Sequence, residues 1–283
     1  MNPAALAVAL ATGTLFQTPG FSAPESALWD PAARVFYVSN VSGRPAAKDG
    51  QGWISKLDAD GRLLAPRWVG GLHAPKGLAL SRGKLFVADI DQVVVIDPAA
   101  AAVERRVMVP GAVFLNDAAA APDGSLFFSD TLGNAIVRLT ADGTVKDWVR
   151  GEWLEGPNGL RVRGGRLYVA AWGLPAADFS TKVPGRLYWL DLRTKKRFDV
   201  SRVPLGNLDG LEPASGGGWL TTDWLAGKLW RVEEKDGAAT LLMEGLSGPA
   251  DLGYDPKRRV IVVPQMNGDE VTGFDQTKLP LKP

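Results

Sequence analysis

One short apolar pattern recurs six times along the chain, and it combines aromatic and β-branched residues in the way that strands do. Almost no segment shows the periodicity of about 3.6 residues that is typical of a helix. The six copies occupy residues 34–40, 84–90, 125–131, 166–172, 218–224 and 259–265. The pattern therefore predicts a chain built from six similar β units.

Each copy is flanked by two further segments that are typical of strands. A shorter apolar segment precedes it, and a third strand is predicted after it, at residues 53–57, 93–96, 135–139, 185–190, 228–232 and 270–274. Asp-Gly pairs at 60–61, 142–143 and 236–237 follow several of these strands and are strong hairpin signals. Because a single small sheet cannot bury both of its faces alone, the pattern predicts an all-β fold, a six-bladed β-propeller.

The two ends of the chain bear on how such a ring closes. The sixth unit runs out of chain after its third strand, so we expect residues 13–18 to supply the outer strand, and residues 12–283 to form one propeller domain. Residues 4–11 resemble the apolar region of a secretory signal, although no basic segment precedes them. Residues 1–11 are interpreted as a signal remnant or an N-terminal arm, with a periplasmic or secreted location.

Composition excludes several classes of function. The 283 residues include 33 glycines and 20 prolines, which agrees with many turns, and 32 basic against 31 acidic side chains, which gives no reason to expect nucleic acid as a partner. The absence of cysteine and the single histidine, His73, exclude thiolate chemistry and multi-histidine metal sites. No nucleophile elbow or phosphate loop is present. We expect a small-molecule substrate and no membrane span; the oligomeric state stays open.

Aligning the units places one residue at the start of every inner strand, and five of these six residues are polar. They are Glu25, Lys76, Asn116, Asn158, Asp209 and Ala250. The innermost strands of a propeller line its central channel, so these side chains are predicted to converge at one mouth of it. Buried polar groups are costly unless they are paired or bound to something, so this ring is the strongest candidate for a functional site.

The ring supplies two carboxylates, from Glu25 and Asp209, and two amide oxygens, from Asn116 and Asn158. Hard oxygen donors of this kind favour a divalent cation, calcium before magnesium or manganese. The alternative is a hydrogen-bonded polar plug that closes the channel, in which Lys76 pairs with Glu25 or Asp209. The residue types alone do not distinguish the cation site from the polar plug.

At these positions the sequence resembles the senescence-marker-protein/gluconolactonase superfamily, with its diisopropylfluorophosphatase-like and paraoxonase-like calcium propellers. The resemblance covers residues ~12–276 and rests on four motifs: Pro24-Glu25-Ser26-Ala27-Leu28-Trp29, Leu115-Asn116-Asp117, Gly156-Pro157-Asn158-Gly159-Leu160 and Leu208-Asp209-Gly210-Leu211. It implies that Glu25, Asn158 and Asp209 hold a catalytic calcium, with Asn116 as a further ligand or a substrate contact.

The chain departs from that family in two places. Gluconolactonase-like members carry an arginine just before the Asn116 motif, where this chain has Phe114 and Leu115, so the resemblance does not extend to sugar-lactone specificity. Paraoxonase-like members place a histidine base where this chain has Lys76. The lysine is interpreted as a base, an anchor for a substrate carboxylate, or a cation that replaces the metal.

Residues around the ring carry weaker expectations. His73 is expected to be solvated or structural rather than an acid or base. Asp117 and Asp251 follow ring positions, so strand alternation predicts that they turn away from the axis, Asp117 in a structural role. Trp172 and Trp224 are candidates for a pocket wall. Successive ring positions lie 40 to 42 residues apart except in units one and four, where they lie 51 apart, so loops at 41–52 and 173–185 are predicted to rim the mouth.

The favoured function is a metal-dependent hydrolase of lactones or other esters, phosphotriesters included. The cation would polarise a carbonyl or phosphoryl oxygen, and Lys76 or Asp209 would activate water or attack directly, with Asn116 on the substrate. The alternative is a non-catalytic periplasmic propeller of the NHL or YVTN type that binds a ligand or protein on its top face. Fold alone supports neither chemistry.

Overall fold

The protein folds into six four-stranded antiparallel sheets arranged as a β-propeller, in a computed structural model that describes residues 13–176 and 178–279. The predicted all-β, six-bladed architecture is confirmed. Residues 1–11, interpreted as a signal remnant or an arm, lie outside the described residues. Within the described ranges, no helix is long and apolar enough to cross a membrane.

The strands follow one another blade by blade, from the inside of each sheet to the outside. The first strand, β1 (Thr14–Pro19), belongs to the last blade. The first blade contains β2 (Pro24–Asp30), β3 (Val35–Asn40), β4 (Gly52–Asp58) and β5 (Leu63–Leu72). The second contains β6 (Pro75–Ser81), β7 (Lys84–Asp89), β8 (Gln92–Asp97) and β9 (Ala102–Met108). The third contains β10 (Leu115–Ala120), β11 (Leu126–Asp130), β12 (Ala135–Leu139) and β13 (Val145–Arg150).

The fourth blade carries an extra hairpin between its second and third strands. Its strands are β14 (Pro157–Arg163), β15 (Arg166–Ala171), β18 (Leu187–Asp191) and β19 (Arg197–Asp199), and the hairpin is formed by β16 (Gly173–Pro175) and β17 (Thr181–Pro184). The fifth contains β20 (Leu208–Pro213), β21 (Trp219–Asp223), β22 (Lys228–Val232) and β23 (Ala239–Glu244). The sixth contains β24 (Gly253–Asp255), β25 (Val260–Gln265) and β26 (Glu270–Asp275). Short 3-10 turns occupy Glu152–Leu154, Met266–Gly268 and Gln276–Lys278.

The ring closes in the sixth blade, as the short last unit predicts. Strand β1 pairs antiparallel with β26 and supplies the missing outer strand. Space for this strand depends on Gly273, where an added Cβ would stand 2.2 Å from the Phe16 ring. The closing strand joins an early segment of the chain to its last strand, so the outer edge of the last sheet is covered.

The core consists of six apolar layers, and each layer lies between two consecutive blades. Tyr37 and Ile54 of the first blade pack with Val87 and Val94 of the second, for example. The same arrangement repeats between the later blades, and a sixth layer joins the last blade to the first. Because every sheet buries both faces against its neighbours, the second strands are continuous runs of buried residues.

A β-bulge interrupts five of the six inner strands at the ring position. In β10 the register with β11 shifts between Leu115 and Ala118, and the same shift occurs in β2, β6, β14 and β20. A bulge adds an unpaired residue and breaks the alternation of side chains between the two faces of a strand. In each of these five strands, two consecutive side chains at the channel mouth therefore do not follow the simple alternation between the two faces.

Candidate active site at the channel mouth

Buried carboxylates at the ends of the second strands fix the loops that lead to the ring. The carboxylate of Asp89 accepts the Ala74 N–H at 2.7 Å, and Asp130 accepts the Phe114 N–H at 2.7 Å. Asp223 accepts an N–H in the same way in the fifth blade. Each contact holds the backbone two residues before a ring position. This role of the aspartates was not predicted from the sequence, although an aspartate ends three of the six repeated strands.

Four of the predicted ring residues, Glu25, Lys76, Asn116 and Asp209, line one cavity of about 230 Å³ at the channel mouth. All four are between 2% and 7% exposed, so their polar groups are almost entirely removed from bulk water. Asn158 is fully buried, and its Nδ2 donates to the carbonyl oxygen just before Asp209. The sixth ring residue, Ala250, is fully buried and apolar.

Two buried oxygens of the ring have no hydrogen-bond partner among the described residues. They are Oε2 of Glu25, which lines the cavity, and Oδ1 of Asn158, which is fully buried beside Asp209. Burial, reinforced by the neighbouring Asp209, raises the pKa of Glu25 well above its ordinary value. Burial, together with Asp251, raises the pKa of Asp209 in the same way. Unpaired buried oxygens and repelling carboxylates are what a bound cation would satisfy, so the donor set fits a hard divalent ion.

The same ring limits how a cation could be held. Within residues 13–176 and 178–279, no three histidine, cysteine, aspartate or glutamate side chains meet in an arrangement suited to a metal. A cation here would depend on Glu25 and Asp209 together with the amide oxygens of Asn158 and Asn116 and with water. Such a mixed oxygen shell is ordinary for calcium.

Lys76 is held by the backbone rather than by the carboxylates of the ring. Its Nζ donates to the carbonyl oxygens of Pro45 at 2.9 Å and Ala74 at 2.8 Å, and it lies 4.3 Å from the centre of the Phe114 ring. Neither ion pair of the alternative plug, to Glu25 or to Asp209, forms within 4 Å in the part of the chain described. Burial lowers the pKa of Lys76 to about 8, although Glu25 and Asp89 oppose the shift.

A polar plug does exist, but it lies deeper in the channel and uses other residues. Arg161 Nη2 donates to Glu212 Oε1 at 2.5 Å, and Arg161 Nη1 lies 3.9 Å from Asp117 Oδ2. Both residues stand three positions after a ring residue on their inner strands. Arg161 also lines a small cavity at the opposite end of the channel. This ion pair thus joins the fourth and fifth inner strands, β14 and β20, below the candidate site.

The expectation that Asp117 and Asp251 turn away from the axis was wrong. Asp117 Oδ2 accepts the Leu160 N–H of the next inner strand at 2.6 Å, which agrees with a structural role, and Asp251 accepts the Ser26 hydroxyl at 2.5 Å. Both carboxylates are buried among the inner strands, and burial raises the pKa of Asp117 to about 7. The bulge explains the Asp117 error, and Asp251 precedes the short strand β24, where the alternation rule does not apply.

The two long loops rim the cavity as predicted. Pro45, from the loop at 41–52, lines it, and so do Asp178 and Phe179, from the hairpin at 173–185. Trp172 and Trp224 form part of the wall, which also confirms their expected position. His73 is absent from the wall: its Nδ1 accepts the Gly50 N–H at 3.2 Å, so it supports the first loop from outside the cavity.

Comparisons with known proteins support the fold and leave the chemistry open. No family model and no curated protein matches the sequence. A gluconolactonase from Xanthomonas campestris is similar in structure, with 17% identity, a TM-score of 0.70 and coverage of 94% of this chain and 88% of that one. A streptogramin B lyase is also similar in structure, with 13% identity, a TM-score of 0.60 and coverage of 93% of this chain and 97% of that one.

A third structure is virginiamycin B lyase from Staphylococcus aureus, in a catalytically inactive histidine-to-alanine form with quinupristin. It is 15% identical, with a TM-score of 0.58 and coverage of 95% of this chain and 96% of that one. At these identities the similarity concerns the fold. The chain is a six-bladed β-propeller whose fold is similar to that of this gluconolactonase and these streptogramin B and virginiamycin B lyases.

Proposed function

We propose that the channel mouth is the active site of a metal-dependent hydrolase that acts on lactones or other carboxylic esters. The observation that carries the proposal is a pair of buried oxygens, Glu25 Oε2 and Asn158 Oδ1, that have no hydrogen-bond partner among the described residues and belong to the ring at the cavity that Glu25 lines. Glu25, Asn158 and Asp209 would hold a divalent cation, calcium first, with Asn116 as a ligand or a substrate contact. A bound cation supplies polarisation of the ester carbonyl and stabilises negative charge on its oxygen.

Lys76 is suited to move a proton beside that carbonyl. With its pKa lowered to about 8, about a tenth of the amine is neutral at pH 7, and the fraction rises steeply as the pH approaches 8. The two hydrogens of a neutral amine match the carbonyl oxygens of Pro45 and Ala74, which leaves the Nζ lone pair free to accept a proton from water. Asp209, buried and raised in pKa, is the second candidate for this step.

The lyase neighbours do not supply a better candidate. A histidine is needed for activity in the virginiamycin B lyase of that comparison. The single histidine of this chain, His73, supports a loop and does not line the cavity. We therefore favour ester hydrolysis over a lyase reaction.

The test is a hydrolysis screen with lactones, aryl esters and phosphotriesters, run on chelator-treated protein with and without added calcium. We expect turnover of an ester class that requires the cation and falls more than about 100-fold in Glu25→Gln. Glu244→Gln, which makes the same chemical change on an exposed outer strand, is the matched control and should keep full activity. Hydrolysis that is equal in chelator, or cation binding without any hydrolysis, would contradict the proposal; the second result would favour a ligand-binding propeller.

A further inference from the structure

The cavity has a polar floor and an apolar wall. The aromatic side chains of the wall pack against one another. The ring centres of Phe179 and Phe114 lie 5.3 Å apart, and those of Trp172 and Trp224 lie 6.0 Å apart. The apolar members of the wall are Pro45, Phe114, Trp172, Phe179, Trp224, Leu225 and Met266. An ester whose carbonyl reaches the floor must therefore place its remaining atoms against aromatic and aliphatic surface.

Several polar groups of the wall are already engaged with the protein. Trp172 Nε1 donates to the Phe179 carbonyl oxygen at 2.9 Å, and Thr131 Oγ1 donates to the Pro157 carbonyl oxygen at 2.8 Å. Asp178 Oδ1 accepts both the backbone N–H and the hydroxyl of Ser180. Hydroxyl groups of a substrate that face the aromatic and aliphatic side chains of the wall would lose water without gaining equivalent partners, which is unfavourable, whereas apolar groups gain by burial there.

The cavity volume sets a limit on size. About 230 Å³ is less than the ~300–1,000 Å³ of sites that enclose drug-sized ligands. Phe179 helps to set this limit because the hairpin of β16 and β17 places its ring against Phe114 and Trp172. Removing that ring would leave an apolar substituent without one of its contact surfaces.

We infer that this site, if it has the function proposed above, takes small lactones or esters with an aryl or short alkyl substituent and discriminates against polyhydroxylated ones. Phe179 is the residue that determines this preference. The inference depends on the proposed function for the reaction and on the wall of the cavity for the substrate.

The test compares three lactones that share the reacting group: γ-phenyl-γ-butyrolactone, unsubstituted γ-butyrolactone and glucono-δ-lactone. We expect kcat/KM for the phenyl lactone to exceed that for gluconolactone by at least about 100-fold. Phe179→Ala should lower kcat/KM for the phenyl lactone about tenfold more than it lowers that for γ-butyrolactone. Phe198→Ala, at an exposed aromatic residue on an outer strand, is the control and should change neither value.

Two failures are distinguishable. Faster hydrolysis of gluconolactone, or an equal effect of Phe179→Ala on all three substrates, would overturn the inference while leaving the proposed function intact. Hydrolysis of none of them would count against the proposed function. Calorimetry with the products 4-hydroxy-4-phenylbutanoate and gluconate then decides the inference alone: tighter binding of the phenyl acid supports it, and tighter binding of gluconate, or of neither, overturns it. If the Tm of Phe179→Ala is well below that of the wild type, Phe179→Leu is used in its place.

Discussion

Replacing Glu25 with glutamine should change the stability of the protein in opposite directions with and without metal. Glu25 is 4% exposed, its Oε2 has no hydrogen-bond partner among the described residues, and Asp209 raises its pKa further. Without a cation, the cost of burying this carboxyl group is not compensated, because folding must either desolvate its charge or protonate it. Glutamine keeps the shape and cannot ionise, so the metal-free variant should be more stable than the wild type.

The magnitude follows from the two opposing effects. An unsatisfied buried polar group costs about 1–3 kcal/mol and more when charged, so Glu25→Gln should stabilise the metal-free fold by about 2 kcal/mol. Calcium at 100 times its Kd should stabilise the wild type by about 2.7 kcal/mol. For a chain of this size, 1 kcal/mol corresponds to about 2 °C in Tm. The variant should melt about 4 °C above the wild type in chelator, and the wild type alone should gain about 5 °C in calcium.

Thermal unfolding followed by circular dichroism, in chelator and in calcium, measures all four values. Glu244→Gln, on the exposed outer strand, should behave as the wild type in both buffers. An equal calcium shift in Glu25→Gln and the wild type would refute the assignment of Glu25 as a ligand. A variant less stable than the wild type in chelator would refute the claim that burying this carboxyl group destabilises the metal-free fold.

Three further substitutions test other parts of the site. Lys76→Met should bind calcium as tightly as the wild type or more so, because a nearby positive charge is lost, and should lower kcat at least about 100-fold; unchanged kcat would exclude Lys76 as a base. Gly159→Ala would place a Cβ 2.0 Å from the Asp209 carbonyl oxygen, so calorimetry should show about 10- to 100-fold weaker calcium binding. Gly70→Ala should have no effect, because its Cβ would meet no described atom within 4 Å beyond its own chain neighbours. Asp89→Ala leaves buried N–H groups without an acceptor and should lower Tm by about 6 °C; an unchanged Tm would contradict its role in fixing the loop.

Most of the fold could be predicted from the sixfold repeat in the sequence. The six second strands, the six third strands and the closing strand lie where the sequence places them, because each unit repeats the same apolar pattern and each sheet buries both faces. The third strand of the fourth unit begins at Leu187 rather than at residue 185, because Gly185 instead bridges to Gly206 at the base of the extra hairpin. Alignment of the units also identified four residues that line one cavity, Glu25, Lys76, Asn116 and Asp209, since equivalent positions in a propeller meet at the axis.

Contacts between distant segments could not be predicted in this way. Lys76 bonds to Pro45, which belongs to a loop that no periodicity links to the second inner strand. The bulge at Asp117 breaks the alternation on which the prediction of its side-chain direction depended. The pair of Arg161 and Glu212 joins two inner strands deep in the channel, and our alignment considered only the first position of each strand. Local patterns specify elements, whereas these contacts depend on how loops and strands meet in space.

Titration of chelator-treated protein with calcium chloride in a calorimeter tests the central claim most directly. The account predicts saturable binding of one ion per chain, held by Glu25, Asn158 and Asp209, with binding lost in Glu25→Gln and retained in Glu244→Gln. A titration without saturable heat for calcium, magnesium or manganese, or one in which Glu25→Gln binds as the wild type does, would contradict the claim that this channel mouth is a metal site.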